Sequence, residues 1–195
     1  MSKPDSRYRA ILEQAARLIC LHGYDATSMQ DIAAACELTK AGLYHHIRAK
    51  EDLLLAIMHY GMDLFEEMVL AKVVDIADPL ERLRATMTRN LELVTSSSKE
   101  VTIILHEHAT LTGPARTEIN ARKKKYVQFL ERTIAEGIAT RQLRDVDPTL
   151  AAFNFLGVVL WTYKWYRPDG EIDRERLTAG MIDLFFGGLT APVAR

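Results

Sequence analysis

Ser28-Met29-Gln30-Asp31-Ile32-Ala33-Ala34-Ala35-Cys36-Glu37-Leu38-Thr39-Lys40-Ala41-Gly42-Leu43-Tyr44-His45-His46-Ile47 is the stretch on which the reading of this chain turns. Ser28, with Asp31 three residues on, can cap a helix through about Ala35, and Thr39 can cap a second one through about Ile47. Only Cys36-Glu37-Leu38-Thr39 separates them. A preceding helix offers something to pack on: Tyr8, Ile11, Leu12, Ala15, Ile19 and His22 lie on one side, and Gly23 is a good stop. Two short helices joined by a tetrapeptide have the proportions of a helix-turn-helix, whose second helix enters a DNA major groove.

On that second helix Leu43 and Ile47 face inward, while Lys40, Tyr44 and His45 face outward. Thr39 is its N-cap and Gly42 allows close approach. Lys40 suits a phosphate or a guanine edge; Tyr44 and His45 are amphipathic donors that can reach phosphates or bases. The hydroxyls of Thr27 and Ser28 and the amine of Lys50 are placed to grip the DNA backbone. The plain alternative for Tyr44 and His45 is a solvent-exposed helix face. His46 fits a core-edge packing role as readily as a DNA contact.

Composition constrains the partner. The 195 residues are 48% hydrophobic and 26% charged with a net charge of -1, so any surface for nucleic acid is local. In the first fifty residues Lys3, Arg7, Arg9, Arg17, Lys40, Arg48 and Lys50 outnumber Asp5, Glu13, Asp25, Asp31 and Glu37 by two. That excess is modest, so affinity for double-stranded operator DNA requires two modules acting together as a homodimer. Cys20 and Cys36 sit among apolar residues at helical spacing, as buried thiols of a reduced, cytoplasmic protein do. No signal-peptide core is present at the N-terminus, and the apolar run Leu150 to Tyr163 is shorter than the roughly 20 residues a membrane span needs. The expectation is a cytoplasmic protein with no membrane partner.

Outward from the motif, apolar residues recur at helical spacing nearly everywhere, which predicts an all-α chain. A long helix starts near Lys50 and runs to about Lys72, carrying Leu54, Ile57, Met58, Leu64, Phe65 and Met68. Further helices are expected at about 79–95, 99–110, 115–139, 148–165 and 173–189. Breaks fall at Ser96-Ser97-Ser98, Gly113-Pro114, Asp147-Pro148 and Pro168-Asp169-Gly170. The expected organisation is an N-terminal three-helix helix-turn-helix domain, 1–50, and a larger helical ligand-binding and dimerisation domain, 51–195.

Gly23-Tyr24-Asp25-Ala26-Thr27-Ser28-Met29-Gln30-Asp31-Ile32-Ala33, followed by Thr39-Lys40-Ala41-Gly42-Leu43-Tyr44-His45-His46-Ile47-Arg48-Ala49-Lys50-Glu51-Asp52-Leu53, resembles the DNA-binding signature of the TetR family across about residues 8–55. That resemblance implies a regulatory domain whose last two helices make the dimer. Three positions depart from the pattern: Glu37 where glycine is usual, Ile47 for phenylalanine, and Ala49 for a capping Ser or Asn. The first makes a left-handed turn less comfortable.

Trp161-Thr162-Tyr163-Lys164-Trp165-Tyr166-Arg167-Pro168-Asp169-Gly170 is similar to TetR-like regulators of fatty-acid and steroid-ring degradation that sense acyl-CoA thioesters. Such a ligand needs an apolar tunnel and cations for its phosphates. Trp161, Trp165, Lys164 and Asn154 on one helix are candidates for that site, as are Tyr126 and Arg122 on another. Arg122-Lys123-Lys124-Lys125 covers every direction around its helix, so a cation there either snorkels to solvent or meets an anionic ligand. The 148–165 helix, apolar on nearly all sides, and the last helix, with Leu177, Met181, Leu184, Phe185 and Gly188, suit a subunit interface.

His106, Glu107 and His108 make a poor chelate, since residues two apart on a helix point about 200° away from each other. His106 remains a candidate for pocket lining. No Ser/His/Asp elbow, phosphate loop, nucleotide-binding glycine pattern or zinc spacing occurs, so neither an enzyme nor a bound metal or cofactor is expected. The function expected is a repressor released from its operator by a small-molecule effector, with an acyl-CoA as candidate. The alternatives are a regulator without small-molecule sensing, under protein-partner control or acting as an activator, and a helical small-molecule enzyme using His106 or His108 as base.

Overall fold

The computed structural model describes residues 6–96, 98–107 and 110–189. Lys3 and Asp5 of the charge balance, Ser97 of an expected break and His108 of the histidine pair lie outside them. Among the described residues the chain is helical, with no strand. The described residues fall into two compact units, one formed by those up to Met62 and those within 99–120, the other by those within 63–98 and those from Ala121 to Leu189.

In the first unit α1 (Ser6–His22) buries Ile11, Leu12, Ala15, Ala16 and Ile19, the stripe its spacing predicts. It stops at Gly23, whose φ of +83° is cheap only without a side chain. Next, α2 (Met29–Ala35) opens with a reciprocal capping box: the Ser28 hydroxyl accepts from the Asp31 N–H at 3.1 Å, and the Asp31 carboxylate accepts from the Ser28 N–H at 2.9 Å. α3 (Lys40–His46) starts on the Thr39 cap, whose Oγ1 accepts from the Gly42 N–H at 3.0 Å. α2 packs on both α1 and α3. Leu43 and Ile47 close this core, and Leu53, Leu54, Ile57 and Met58 of α4 (Lys50–Phe65) are likewise buried. α7 (Ser98–His106) ends about one turn earlier than expected; beyond it the Thr110 N–H donates to the Glu107 carbonyl, and Leu111 is fully buried.

The second unit departs from the single continuous helix to about Lys72 that the spacing predicts. After Phe65 the backbone forms a π-helical turn, Glu66–Leu70, before α5 (Ala71–Val73). The reason lies in the apolar spacing. Phe65, Val69 and Val73 are all buried, yet eight residues at about 100° each would carry Val73 roughly 80° round from Phe65 in an uninterrupted α-helix. A wider turn under-winds the helix and draws Val73 back towards the core side.

α6 (Pro79–Ser96) packs on the π turn, on α9 (Pro148–Trp165) and on α10 (Arg174–Leu189). Leu83, Met87, Leu91, Phe155, Val159, Leu177 and Phe186 form the interior. α8 (Gly113–Ala139) adds Tyr126, Leu130 and Ile134. Asp147 caps α9, accepting from the Leu150 N–H at 2.8 Å, and Pro148 occupies the first turn, where no N–H is missed.

Candidate DNA-binding and effector-binding sites

α3 turns one face inward and leaves the other in solvent. Leu43 is fully buried, while Lys40, Tyr44, His45 and His46 are exposed, Tyr44 at 41% despite its ring. His46 therefore shares the outer surface rather than the core edge. Ser28 and Thr39 are exposed but committed to caps: the Ser28 hydroxyl also donates to Asp31 at 2.6 Å. That pairing holds the Asp31 carboxyl below the usual carboxylate range. Gly42 sits against its own cap, where an added Cβ would meet Thr39 Oγ1 at 3.2 Å. Lys50 lies 4.2 Å over the Tyr24 ring and donates to the Asp25 carbonyl at 3.3 Å, so its amine is fixed beside the α1–α2 turn.

Thr27 requires correction. It is buried, and its hydroxyl donates inward to the Gly23 carbonyl at 2.8 Å, which leaves it unavailable to a phosphate. Sequence reasoning also missed Arg7, whose guanidinium donates to the Cys36 carbonyl at 3.1 Å and ties α1 to the turn between α2 and α3. In that turn Glu37 adopts a φ of +56°, the left-handed conformation that glycine would take without strain.

Within the second unit the candidate effector residues do not gather at one place. Asn154, Trp161 and Trp165 come together on α9, but on its outer side, where with Phe153, Gly157, Val158 and Met181 they line an open groove of about 550 Å³. Trp161 is 63% and Trp165 43% exposed, which corrects the expectation that they line an enclosed tunnel. A second groove of about 440 Å³ runs beside it, with Arg144, Asp147, Leu150 and Leu184 among its walls. Lys164 is exposed, its amine 5.2 Å from the Tyr163 ring. His106, exposed at the end of α7, belongs to the first unit.

Tyr126 is buried in the second unit. Its hydroxyl accepts from Asn90 Nδ2 at 2.7 Å, its ring lies 4.3 Å from that of Phe65, and burial pushes its phenol far above the ordinary range. Asn90 was the missed partner, although a polar residue inside the Leu83-Met87-Leu91-Val94 stripe of α6 was the available signal. Arg122 neither snorkels nor stands open to an anion: Nη2 donates to Asp63 at 2.6 Å and Nε to Glu66 at 3.0 Å. Its neighbour Lys123 is half-buried, and loss of solvation pushes its ammonium down to about 8.

Residues 11–57 match the model of bacterial regulatory proteins of the tetR family, and residues 77–189 match the tetracyclin repressor-like C-terminal domain. The chain belongs to the TetR family. Among curated TetR relatives, the HTH-type transcriptional repressor KstR2 of Mycolicibacterium smegmatis is 27% identical over 194 residues, 97% of this chain and 93% of its own. Among solved TetR structures, AibR in complex with isovaleryl coenzyme A and operator DNA is 63% identical, with a TM-score of 0.88 over 92% of this chain and 97% of that one. KstR2 of Mycobacterium tuberculosis superposes with a TM-score of 0.89 at 26% identity, covering 96% of this chain and 97% of its own. This TetR chain departs from the signature at Glu37 and Ile47 without losing the motif's geometry: α2 and α3 keep their caps and Ile47 is buried. Among the described residues no helix is long and apolar enough to cross a membrane.

Proposed function

We propose that the protein is a homodimeric repressor that binds double-stranded operator DNA through α3 and is released by an acyl-CoA, with isovaleryl-CoA or a close short, branched thioester as effector. Residues 1–50 act as the reading module and 51–195 as the ligand-binding and dimerisation part. The observation that carries the DNA reading is the outer face of α3, on which Lys40, Tyr44 and His45 stand in solvent over a closed three-helix core. Such a helix fits the major groove, and two copies read half-sites about 34–36 Å apart or a multiple of that.

Dimerisation is supported by the outer side of α9 and α10, where Leu150, Phe153, Trp161, Trp165 and Leu184 are exposed together. A cluster of large apolar side chains on one surface favours burial against a second copy. An acyl-CoA as the ligand is supported by the 63% identity to AibR, solved in complex with isovaleryl coenzyme A and operator DNA; release from the operator is the step that the titration below tests.

An effector can shift the protein off DNA only by binding one arrangement better than the other. In a fluorescence-anisotropy titration against an operator selected from random duplexes, isovaleryl-CoA is expected to weaken binding at least ten-fold. Free coenzyme A is expected to do little. Operator binding indifferent to every acyl-CoA would remove the effector and favour control by a protein partner, while leaving DNA binding in place.

A further inference from the structure

We propose that Arg122, held between Asp63 and Glu66, is a latch on the π-helical turn that follows α4, and that this turn is where the helix yields when the protein changes arrangement. The proposal rests on the effector-responsive reading above for its regulatory consequence, but not for its structural content.

Three observations converge on one short segment. Asp63 and Glu66 are three residues apart, on one face of the helix, immediately before and at the start of Glu66–Leu70. One guanidinium donates to both, through Nη2 at 2.6 Å and Nε at 3.0 Å. A planar fork bonded at two points fixes direction as well as distance, which a lysine in the same place could not do.

One turn further along α8, Tyr126 stacks against Phe65 with its ring tilted 59°, and Asn90 tethers its hydroxyl from α6. The last α-helical turn before the π turn is thus gripped on one side by charge and on the other by an aromatic ring.

The turn also has a defined alternative. Closing it to α-helix re-pairs its backbone N–H groups from the fifth to the fourth preceding carbonyl and rotates Val73, now fully buried, away from the side that Phe65 and Val69 share. Two discrete packings of one segment, rather than continuous bending, are what a switch requires. The latch is strong enough to choose between them and weak enough to release. The Arg122 side chain is 16% exposed, while those of Asp63 and Glu66 are 61% and 49% exposed, so the carboxylates can return to water at little cost.

The test uses the full chain and two readouts. Amide hydrogen exchange of the free protein is expected to speed up at least ten-fold at residues 66–73 in Arg122→Met, with α9 unaffected. Arg122→Lys, which keeps the charge but loses the fork, should fall between. Adding Glu66→Gln to Arg122→Met should change nothing further, because the latch is already open. In the second readout, the fold-change that isovaleryl-CoA produces in operator affinity should shrink at least five-fold in Arg122→Met. The variant's own affinity for the thioester should stay within three-fold of wild type.

Should Arg122→Met fail to fold, the double variant Asp63→Asn/Glu66→Gln, altered only at solvent-facing side chains, carries the same expectations. Exchange at 66–73 within two-fold of wild type would overturn the latch. A wild-type protein that ignores acyl-CoA would overturn the effector reading instead, and the exchange experiment would still decide the latch.

Discussion

At the scale of single residues, the turn of the helix-turn-helix carries strain. Glu37 occupies the position just after α2, where the Leu38 N–H returns to the Ala33 carbonyl at 2.9 Å and closes the end of the helix. That closure needs a left-handed residue, and a non-glycine there costs roughly 1–2 kcal/mol. Glycine removes the strain but adds unfolded-state freedom of roughly 0.5–1 kcal/mol. Glu37→Gly is therefore expected to stabilise the chain by about 0.5–1 kcal/mol in urea unfolding, with operator specificity unchanged. A loss of stability would mean that the carboxylate does something the backbone does not reveal.

Lys123 supplies a pH signature at the same scale. Burial holds its folded pKa at about 8, below the ordinary lysine value of 10.5, so between those values the unfolded chain holds a proton that the folded chain does not. Stability then rises with pH across that window, since unfolding requires proton uptake. Compared with wild type, Lys123→Met should lose this slope and gain stability at neutral pH. Parallel stability–pH curves for the two proteins would contradict the assigned burial.

At the scale of elements, α3 was legible almost residue by residue, because capping chemistry and a 3.6-residue period both act over a few positions. Ser28, Asp31 and Thr39 announced the helix starts, and Leu43 and Ile47 announced the inner face. Thr27 was misread because its hydroxyl has local partners, the Gly23 and Leu18 carbonyls, that a linear pattern does not reveal. The π turn was hidden for a related reason: the spacing of Phe65, Val69 and Val73 is compatible with an α-helix until the accumulated rotation is counted. Arg122, Asp63 and Glu66, and Asn90 with Tyr126, lie 36 to 59 positions apart in sequence, and only tertiary structure joins them. Trp161 and Trp165 looked like pocket lining because aromatic residues serve pockets and interfaces alike.

The reading helix makes its own prediction. If Lys40 meets a phosphate, Lys40→Ala weakens binding about equally across sequences and lowers the slope of log affinity against log salt by about 1 per half-site. If it reads a guanine edge, specificity relaxes at one base pair instead, by about 1–3 kcal/mol. Salt titrations on the selected operator and its single-base variants separate the two, and an unchanged affinity would remove Lys40 from the interface.

At the scale of the whole molecule, two requirements meet that one copy of the chain does not satisfy alone. The first fifty residues carry a charge excess of only two, too little for tight binding by one copy, while the outer face of α9 and α10 carries more apolar surface than a lone chain needs. Pairing answers both, because tethering two weak readers raises the overall affinity by roughly 10²–10⁴ without any new contact. The exposed Leu184, at 79%, is the place to break the pair without disturbing the interior.

The decisive measurement is sedimentation equilibrium of the chain with a duplex selected from a random pool, run for wild type and for Leu184→Asp. Even numbers of wild-type protomers are expected on each duplex, with a monomeric variant of unchanged helix content whose operator affinity falls at least a hundred-fold. A monomeric Leu184→Asp that binds the same duplex as tightly as wild type would contradict that expectation.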